Sequence, residues 1–288
     1  MSVRDYRYDG KKKLNLAKEP TDAGEHKDEK DKLVAATRDN MAEAQELAGR
    51  LYAAGREGLV IAIQARDAAG KDSMIKHVFS GMDPSVLEVH AFKSPNSTEL
   101  SHDYLWRINQ ALPARGKIGI FNRSQYEDVL IVRVHHMEKG YRMAERCLTE
   151  DFFERRYAQL RNWEQYLYEN GYRMVKVFLN VSKETQKKRF LDRIERDDKH
   201  YKLSTADMKE RALWAEYDEA FEQAINATGT ETAPWYVLPA DNKWYTRYLM
   251  SQILVDTLRE MDPQFPPLDP DEAAQLPRVL SELEKDQG

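Results

Sequence analysis

The stretch Leu59-Val60-Ile61-Ala62-Ile63-Gln64-Ala65-Arg66-Asp67-Ala68-Ala69-Gly70-Lys71-Asp72-Ser73 changes character twice within fifteen residues. It opens as a short apolar, β-branched run entered through Gly58, with the length of a strand buried on both faces of a parallel sheet. It then tightens into small residues up to Gly70, and a helical pattern follows over 71–80. Strand, tight loop and helix in that order are the setting of a phosphate-binding P-loop (Walker A). There, backbone N–H groups and the positive end of the helix face the phosphates, and a lysine adds a point charge. Ala68, Ala69, Gly70, Lys71, Asp72 and Ser73 are the candidate phosphate cradle, and Gly70 lets the backbone come close to a phosphate oxygen. Two positions depart from G-x-x-x-x-G-K-[ST]: Ala65 replaces the first glycine, and Asp72 stands where Ser or Thr holds magnesium, with Ser73 one residue late. The plainer alternative is an ordinary strand-to-helix turn with a lysine at the helix start.

Working outward, further strands are expected over 86–92, 118–121, 174–179 and 235–238. Helical spacing falls over 31–51, 98–112, about 145–170, 183–196, 205–227 and 243–261. Alternating strands and helices predict an α/β fold with a mainly parallel sheet and helices on both faces. The polar residues 1–30 read as an arm that packs on a neighbour or as a partly disordered tail. Residues 31–262 form the main domain. Residues 263–288, with five prolines, read as an irregular tail ending in a short helix over 278–285. No repeat at solenoid or propeller periods is found.

Composition excludes several classes. The chain has 288 residues, 44 Lys+Arg against 49 Asp+Glu, and a formal net charge of −5, so it is no bulk basic binder of nucleic acid. One cysteine, Cys147, rules out a disulfide framework within the chain and a cysteine-based zinc cage. No apolar run approaches the ~20 residues of a membrane span. Arg4, Asp5, Arg7 and Asp9 have no apolar stretch behind them, which does not read as a secretory signal, so the expectation is a cytoplasmic protein.

Three groups of residues carry chemistry. Asp67 inside the loop would repel phosphates unless it holds Mg²⁺, directly or through water; otherwise it is a helix cap or loop hydrogen bond. After the strand 117–121 come Asn122, Arg123, Ser124, Gln125, Tyr126, Glu127 and Asp128. Arg123 at a strand tip beside a phosphate loop is a candidate transition-state clamp, or else a structural ion pair. Asn122 brings no charge where such enzymes usually place an aspartate, and Glu127 or Asp128 could supply it from the next turn. Residues 183–211 hold ten Lys and Arg against seven carboxylates, with Arg189, Arg193 and Arg196 on one helix face. They form either a lid over phosphates or a solvated helix with i,i+4 pairs.

The sequence resembles the polyphosphate kinase 2 family. Four stretches carry the resemblance: 67–72 (Asp-Ala-Ala-Gly-Lys-Asp), 101–107 (Ser-His-Asp-Tyr-Leu-Trp-Arg), 121–127 (Phe-Asn-Arg-Ser-x-Tyr-Glu) and 233–244 (Ala-Pro-Trp-Tyr-Val-Leu-Pro-Ala-Asp-x-Lys-Trp). It runs from about residue 15 to 260. It implies a P-loop kinase core of the thymidylate-kinase type with a helical lid, and a homo-oligomer, either a tetramer or a dimer. The implied reaction is Mg²⁺-dependent phosphoryl transfer between inorganic polyphosphate and nucleotides. Asn122 followed by Glu127 is similar to the subgroup that phosphorylates both AMP and ADP, so that ATP can be made from AMP. By that resemblance Asp67 holds the metal, Lys71 and Arg123 hold the transferred phosphoryl group, and Arg189 and Arg193 act from the lid.

The chemistry asks for in-line positioning and charge neutralisation rather than a general base, since the attacking phosphate is already ionised. His77, His90, His102, His135 and His136 therefore receive no catalytic role, and Tyr126, Trp106 and Trp244 are read as packing residues. Asn122, Glu127 and Asp128 are the nucleotide-binding candidates. Lys76, Lys93, Arg107, Arg115, Arg133 and Lys188 are candidates for a basic polyphosphate path. Two other functions fit the same loop: an ATP-dependent nucleoside monophosphate kinase, and a nucleotide-binding regulator on a degraded P-loop.

Overall fold

Residues 3–202 and 204–286 are described by a computed structural model. In chain order the elements are β1 (Arg7–Tyr8), α1 (Lys30–Ala54), β2 (Gly58–Ala65), α2 (Lys71–Phe79), β3 (Leu87–Ala91), α3 (Ser97–Leu100), α4 (Trp106–Gln110) and β4 (Ile118–Asn122). There follow α5 (Ile131–Val134), α6 (Phe152–Glu169), β5 (Tyr172–Asn180), α7 (Lys183–Glu195), α8 (Ala206–Ala212), α9 (Trp214–Thr228), β6 (Trp235–Pro239), α10 (Lys243–Met261) and α11 (Pro270–Lys285). The strands form one sheet in the order β1-β6-β5-β2-β4-β3, parallel throughout except for β1 against β6.

The apolar run of β2 is central because it can bury both faces. Leu59, Ile61 and Ile63 point into one core layer, shared with Ala44, Ala48 and Leu51 of α1, Met74 of α2 and Leu249, Ile253 and Leu254 of α10. Val60 and Ala62 point into the opposite layer, with Ile108, Phe121 and Trp163. Strand period two across a doubly covered sheet gives this division directly. Among the described residues no helix is long and apolar enough to cross a membrane.

Three expectations change. The segment before residue 30 is neither an arm on a neighbour nor a loose tail. Arg7 and Tyr8 pair with Tyr236 and Trp235 at the sheet edge, and Val3, Tyr6, Tyr8, Leu14 and Leu16 are buried. Asn226 ties down both sides of Leu14, accepting from its N–H at 2.7 Å and donating to its carbonyl at 3.0 Å. The single long pattern over 205–227 breaks at Leu213 into α8 and α9. The Pro-rich tail forms the 16-residue helix α11, because Pro270 sits at the helix start, where it lacks no needed N–H, and Asp269 caps Asp271 N at 2.8 Å. None of the described residues of α11 is buried.

Leu14→Ala should cost about 2–4 kcal/mol, the usual range for emptying a buried leucine site, without altering the parallel sheet. The denaturant midpoint and slope check this; a change under about 0.5 kcal/mol would place the segment outside the folding unit.

Candidate active site

The carboxyl ends of β2 and β4 lie side by side, because Ile63 is in register with Asn122 and Arg123 N donates to Ile63 O at 3.0 Å. The loop after β2 is held open by two left-handed residues, Ala68 (φ 58°) and Gly70 (φ 109°). At Gly70 the backbone angle, rather than space, demands glycine, since the nearest atom to an added Cβ would be 3.6 Å away. Lys71 Nζ donates to Ala65 O at 3.0 Å, folding its side chain back across the loop. The first turn of α2 leaves its N–H groups without intrahelical acceptors, as every helix start does.

A cleft of about 570 Å³ opens over this loop. Its lining carries the loop from Asp67 to Ser73, Lys93, Asn122 and Arg123, and from α7 and the turn after it Arg189, Arg193, Lys199 and Lys202. A second cleft of about 450 Å³ meets the first at Phe92, Lys93 and Arg123. It is lined by Tyr104, His102, Met137, Met143, Glu127 and Asp128 among others.

The charges at this junction are already matched. Arg123, itself left-handed at φ 65°, lies 3.4 Å from Asp67 and 3.5 Å from Glu127. Burial opposes its charge, yet Glu127 and Asp67 hold it above the ordinary arginine value. Asp72 accepts from Asn122 Nδ2 at 2.9 Å and from Lys202 Nζ at 3.4 Å. Burial pushes its carboxyl up, but Asn122 and Lys202 bring it below the ordinary aspartate value. Between α7 and α8, Arg193 meets Asp207 at 3.3 Å. Burial, followed by the proximity of Asp67, pushes Asp207 up against the pull of Arg193. Burial, then Arg123, hold the Lys71 ammonium below the ordinary lysine range despite Asp67.

Asp67, Lys71, Asn122 and Arg193 thus line the first cleft, Glu127 the second, and Lys93 and Arg123 both. Arg189 arrives with both of its terminal nitrogens engaged by backbone carbonyls. It donates to Ala68 O (2.9 Å), Ala69 O (2.7 Å), Ala240 O (2.6 Å) and Asp241 O (3.1 Å). Together with Gln186 Nε2 on Asp67 O (3.0 Å) it ties α7 to the loop backbone. Asp128 lines the second cleft but is committed to Arg156 (2.7 Å) and the Tyr141 hydroxyl (2.5 Å). Arg107 lines the second cleft, donates to Lys93 O at 2.7 Å and lies over the Phe92 ring.

The remaining basic candidates line neither cleft. Arg115 is at the amino ends of the parallel strands, donating to Asn170 O at 2.9 Å, on the wrong side of the sheet for a loop at the carboxyl ends. Arg133 packs over Phe153, Lys188 pairs with Glu184 at 2.7 Å on the outer face of α7, and Lys76 is exposed on α2. Sequence reasoning left Lys199, Lys202, Lys243 and Gln186 without roles, although the first two lie in the basic stretch and Lys243 in the fourth motif. Arg247 on α10, also unassigned, donates to Ser73 Oγ at 3.0 Å. Tyr126 is fully buried, and Trp106 stacks on His102 with centroids 4.2 Å apart, as packing residues do.

Among the described residues no three His, Cys, Asp or Glu side chains cluster as a metal cage. Magnesium needs no such cage, since it takes one or two carboxylates and completes its shell with phosphate oxygens and water; Asp67, in the loop and lining the cleft with Asp72, is a carboxylate of that type.

A largely parallel sheet whose central strand runs into a Gly-Lys loop at a helix start, with the basic helix α7 tied across it, defines a P-loop kinase-type fold. The chain belongs to the polyphosphate kinase 2 family, whose model, Polyphosphate kinase 2 (PPK2), matches residues 26–266. It is 39% identical over 287 residues to an ADP-polyphosphate phosphotransferase of Rhodopseudomonas palustris, covering 99% of both chains. It is 41% identical over 222 residues to an AMP/ADP-polyphosphate phosphotransferase of Meiothermus ruber, covering 77% of this chain and 79% of that one. The crystal structure of polyphosphate kinase 2 from Arthrobacter aurescens superposes with a TM-score of 0.86 at 39% identity, covering 98% of this chain and 97% of that one.

The depressed Lys71 fixes the sign of a pH effect. Were its ammonium to bind phosphate, as expected of the loop lysine, polyphosphate affinity should be full below the free-state value and fall as pH rises through it, earlier than for an ordinary lysine. Calorimetric titration from about pH 7 to pH 10 checks this. In Lys71→Arg, which does not titrate there, that limb should flatten; an unchanged limb would assign it to another group.

Proposed function

We propose that this kinase transfers phosphoryl groups between inorganic polyphosphate and adenine nucleotides, phosphorylating AMP to ADP and ADP to ATP. The observation that carries the reading is the meeting of two unlike clefts at Arg123, next to the phosphate loop. The larger is lined by the cations Lys71, Lys93, Arg123, Arg189, Arg193, Lys199, Lys202 and Lys243 against the carboxylates Asp67, Asp72, Asp192 and Asp198. That excess suits a polyanion with about one charge per phosphate, whose approach to another phosphate is costly without intervening cations. The second cleft, with aromatic and methionine walls around Arg107 and Glu127, suits a nucleoside. The names of the relatives agree with both substrates.

Within that reading the loop N–H groups and Lys71 hold the phosphoryl group being transferred, and Arg123 faces it from the neighbouring strand tip. Charge spread over its equatorial oxygens is met by these donors without reorganisation. Asp67 and Glu127 hold Arg123 in place before the phosphates arrive. Magnesium on Asp67 supplies further charge neutralisation when bound. Arg193 and Lys202 exchange Asp207 and Asp72 for phosphate oxygens as the lid settles. Arg189 acts on the loop backbone. Asn122, neutral at the strand tip, adds no repulsion toward the incoming nucleotide phosphate, which is the basis for including AMP as acceptor.

Purified protein with AMP, polyphosphate and Mg²⁺, and no ATP, should give ADP and then ATP on chromatography. Conversion of ADP but not AMP would overturn the Asn122 argument alone; turnover only with ATP as donor would move the chain to a nucleoside monophosphate kinase. Lys71→Ala and Arg123→Ala should each lower kcat by on the order of 10²–10⁴ with the fold retained. Near-native turnover in both would remove the site assignment.

A further inference from the structure

Behind the Arg123 loop lies a buried polar network that the reaction itself does not use. Glu164 on α6 and Lys176 on β5 are 2% and 0% exposed and meet at 2.6 Å. Between them sits the hydroxyl of Tyr126, itself fully buried. It donates to Glu164 Oε1 at 2.7 Å and accepts from Lys176 Nζ at 3.1 Å. Lys176 also donates to Thr228 O at 2.7 Å, and Trp235 Nε1 donates to Thr228 Oγ1 at 2.9 Å. The Trp235 ring meets the Tyr126 ring edge-on at 4.6 Å.

An ion pair buried this deeply loses the hydration of both charges, and apolar side chains of the same volume often serve stability as well or better. What an apolar pair cannot do is fix a hydroxyl as donor and acceptor at once. Tyr126 is three residues beyond Arg123. Between them Ser124, fully buried, accepts on Oγ from Gln64 Nε2 at 3.0 Å and from Tyr126 N at 3.3 Å. Gln64 is on β2, directly before the phosphate loop. Arg123 has a left-handed backbone, which a residue with a Cβ keeps only where its surroundings over-determine it. Its own strand bond to Ile63 O fixes one side; Ser124 and Tyr126 fix the other.

We infer that Tyr126, oriented by Glu164 and Lys176, is a positioning residue that sets the Arg123 backbone, and so aims the guanidinium at the phosphoryl group being transferred. The inference rests on the role of Arg123 proposed above. Its consequence is specific: loss of the hydroxyl misaims Arg123 while leaving the loop backbone, Lys71 and the cations of α7 in place.

The test is a double-mutant cycle of Tyr126→Phe and Arg123→Ala, with kcat and both KM values read in each enzyme and folding checked by thermal melting. Tyr126→Phe should lower kcat about 10- to 100-fold, as a misplacement near 1 Å does, with KM for polyphosphate and nucleotide within about twofold. The double variant should be no slower than Arg123→Ala alone. Native kcat in Tyr126→Phe, or losses that multiply in the double variant, would overturn the inference while leaving the site reading intact. Native kcat in Arg123→Ala would instead overturn the site reading, and the inference with it. Should Tyr126→Phe not fold, the pair Glu164→Gln with Lys176→Met removes the charges at near-equal volume. The same kcat-only loss is expected there, and native kcat would again overturn the inference.

Discussion

Ile63 on β2 faces Asn122 on β4, and the N–H of Arg123 closes on the Ile63 carbonyl at 3.0 Å. This one register brings together two loops that are about 55 residues apart in sequence. It sets the phosphate loop at the tip of one strand and the arginine at the tip of the next. Slipping β4 by one residue would turn Phe121 and Ile120 to the opposite core layers, so burial on both faces locks the pairing that the site needs. The placement of α7 follows from the same frame. Gln186 and Arg189 on α7 read the backbone carbonyls of the phosphate loop, which exist in that orientation only because Ala68 and Gly70 adopt left-handed angles.

The site is built around cations that carry internal partners in the free chain. Arg123 has Asp67 and Glu127, Arg193 has Asp207, and Lys202 has Asp72. A cluster of bare cations would repel itself; interleaved carboxylates remove that repulsion and hold each long side chain near its working geometry. On the function proposed above, the same carboxylates compete with phosphate, so binding would be an exchange of anions rather than the filling of an empty positive hole. Ion pairs that are at least partly exposed are weak enough to make such an exchange reversible.

Much of the frame was legible in the sequence. Strands β2, β4, β5 and β6 announced themselves as apolar runs because they are covered on both sides, and Gly70-Lys71 between strand and helix announced the loop. Strand β1 did not, because two residues, one of them Arg7, carry no periodicity; the pairing that makes them a strand comes from β6, more than 220 residues away. Helix α11 was obscured by counting prolines rather than asking where each sits: Pro270 begins a helix that Asp269 caps. At the site, residue type was readable but the partner was not. Arg189 is on the helix expected over 183–196, yet nothing in an arginine at helical spacing says whether it meets phosphate or, as here, backbone carbonyls. Arg115 looked as suitable as Lys93 because sequence does not say which end of a strand a flanking cation occupies until the topology is known.

The distribution of polar burial separates two mechanical regimes. Around the Arg123 loop the polar groups are sealed: Ser124, Tyr126, Glu164 and Lys176 have almost no exposure, and Asp128 with Arg156 is nearly as deep. Water cannot replace these partners, so moving the loop would leave buried groups unsatisfied, which is costly. Around the lid tip the pairs are of another kind: Lys199 with Asp192, Arg196 with Asp198 and Lys202 with Asp72 each include at least one well-exposed side chain. Water can take the place of either partner there, so these contacts break at little cost. A phosphoryl-transfer site needs both properties. The floor must hold its donors where charge develops, and the cover must admit and release long polyanions. The sequence places its buried polar residues behind the strand tip and its exposed charges around residues 192–202, and the difference in solvation makes the first set of contacts costly to break and the second cheap.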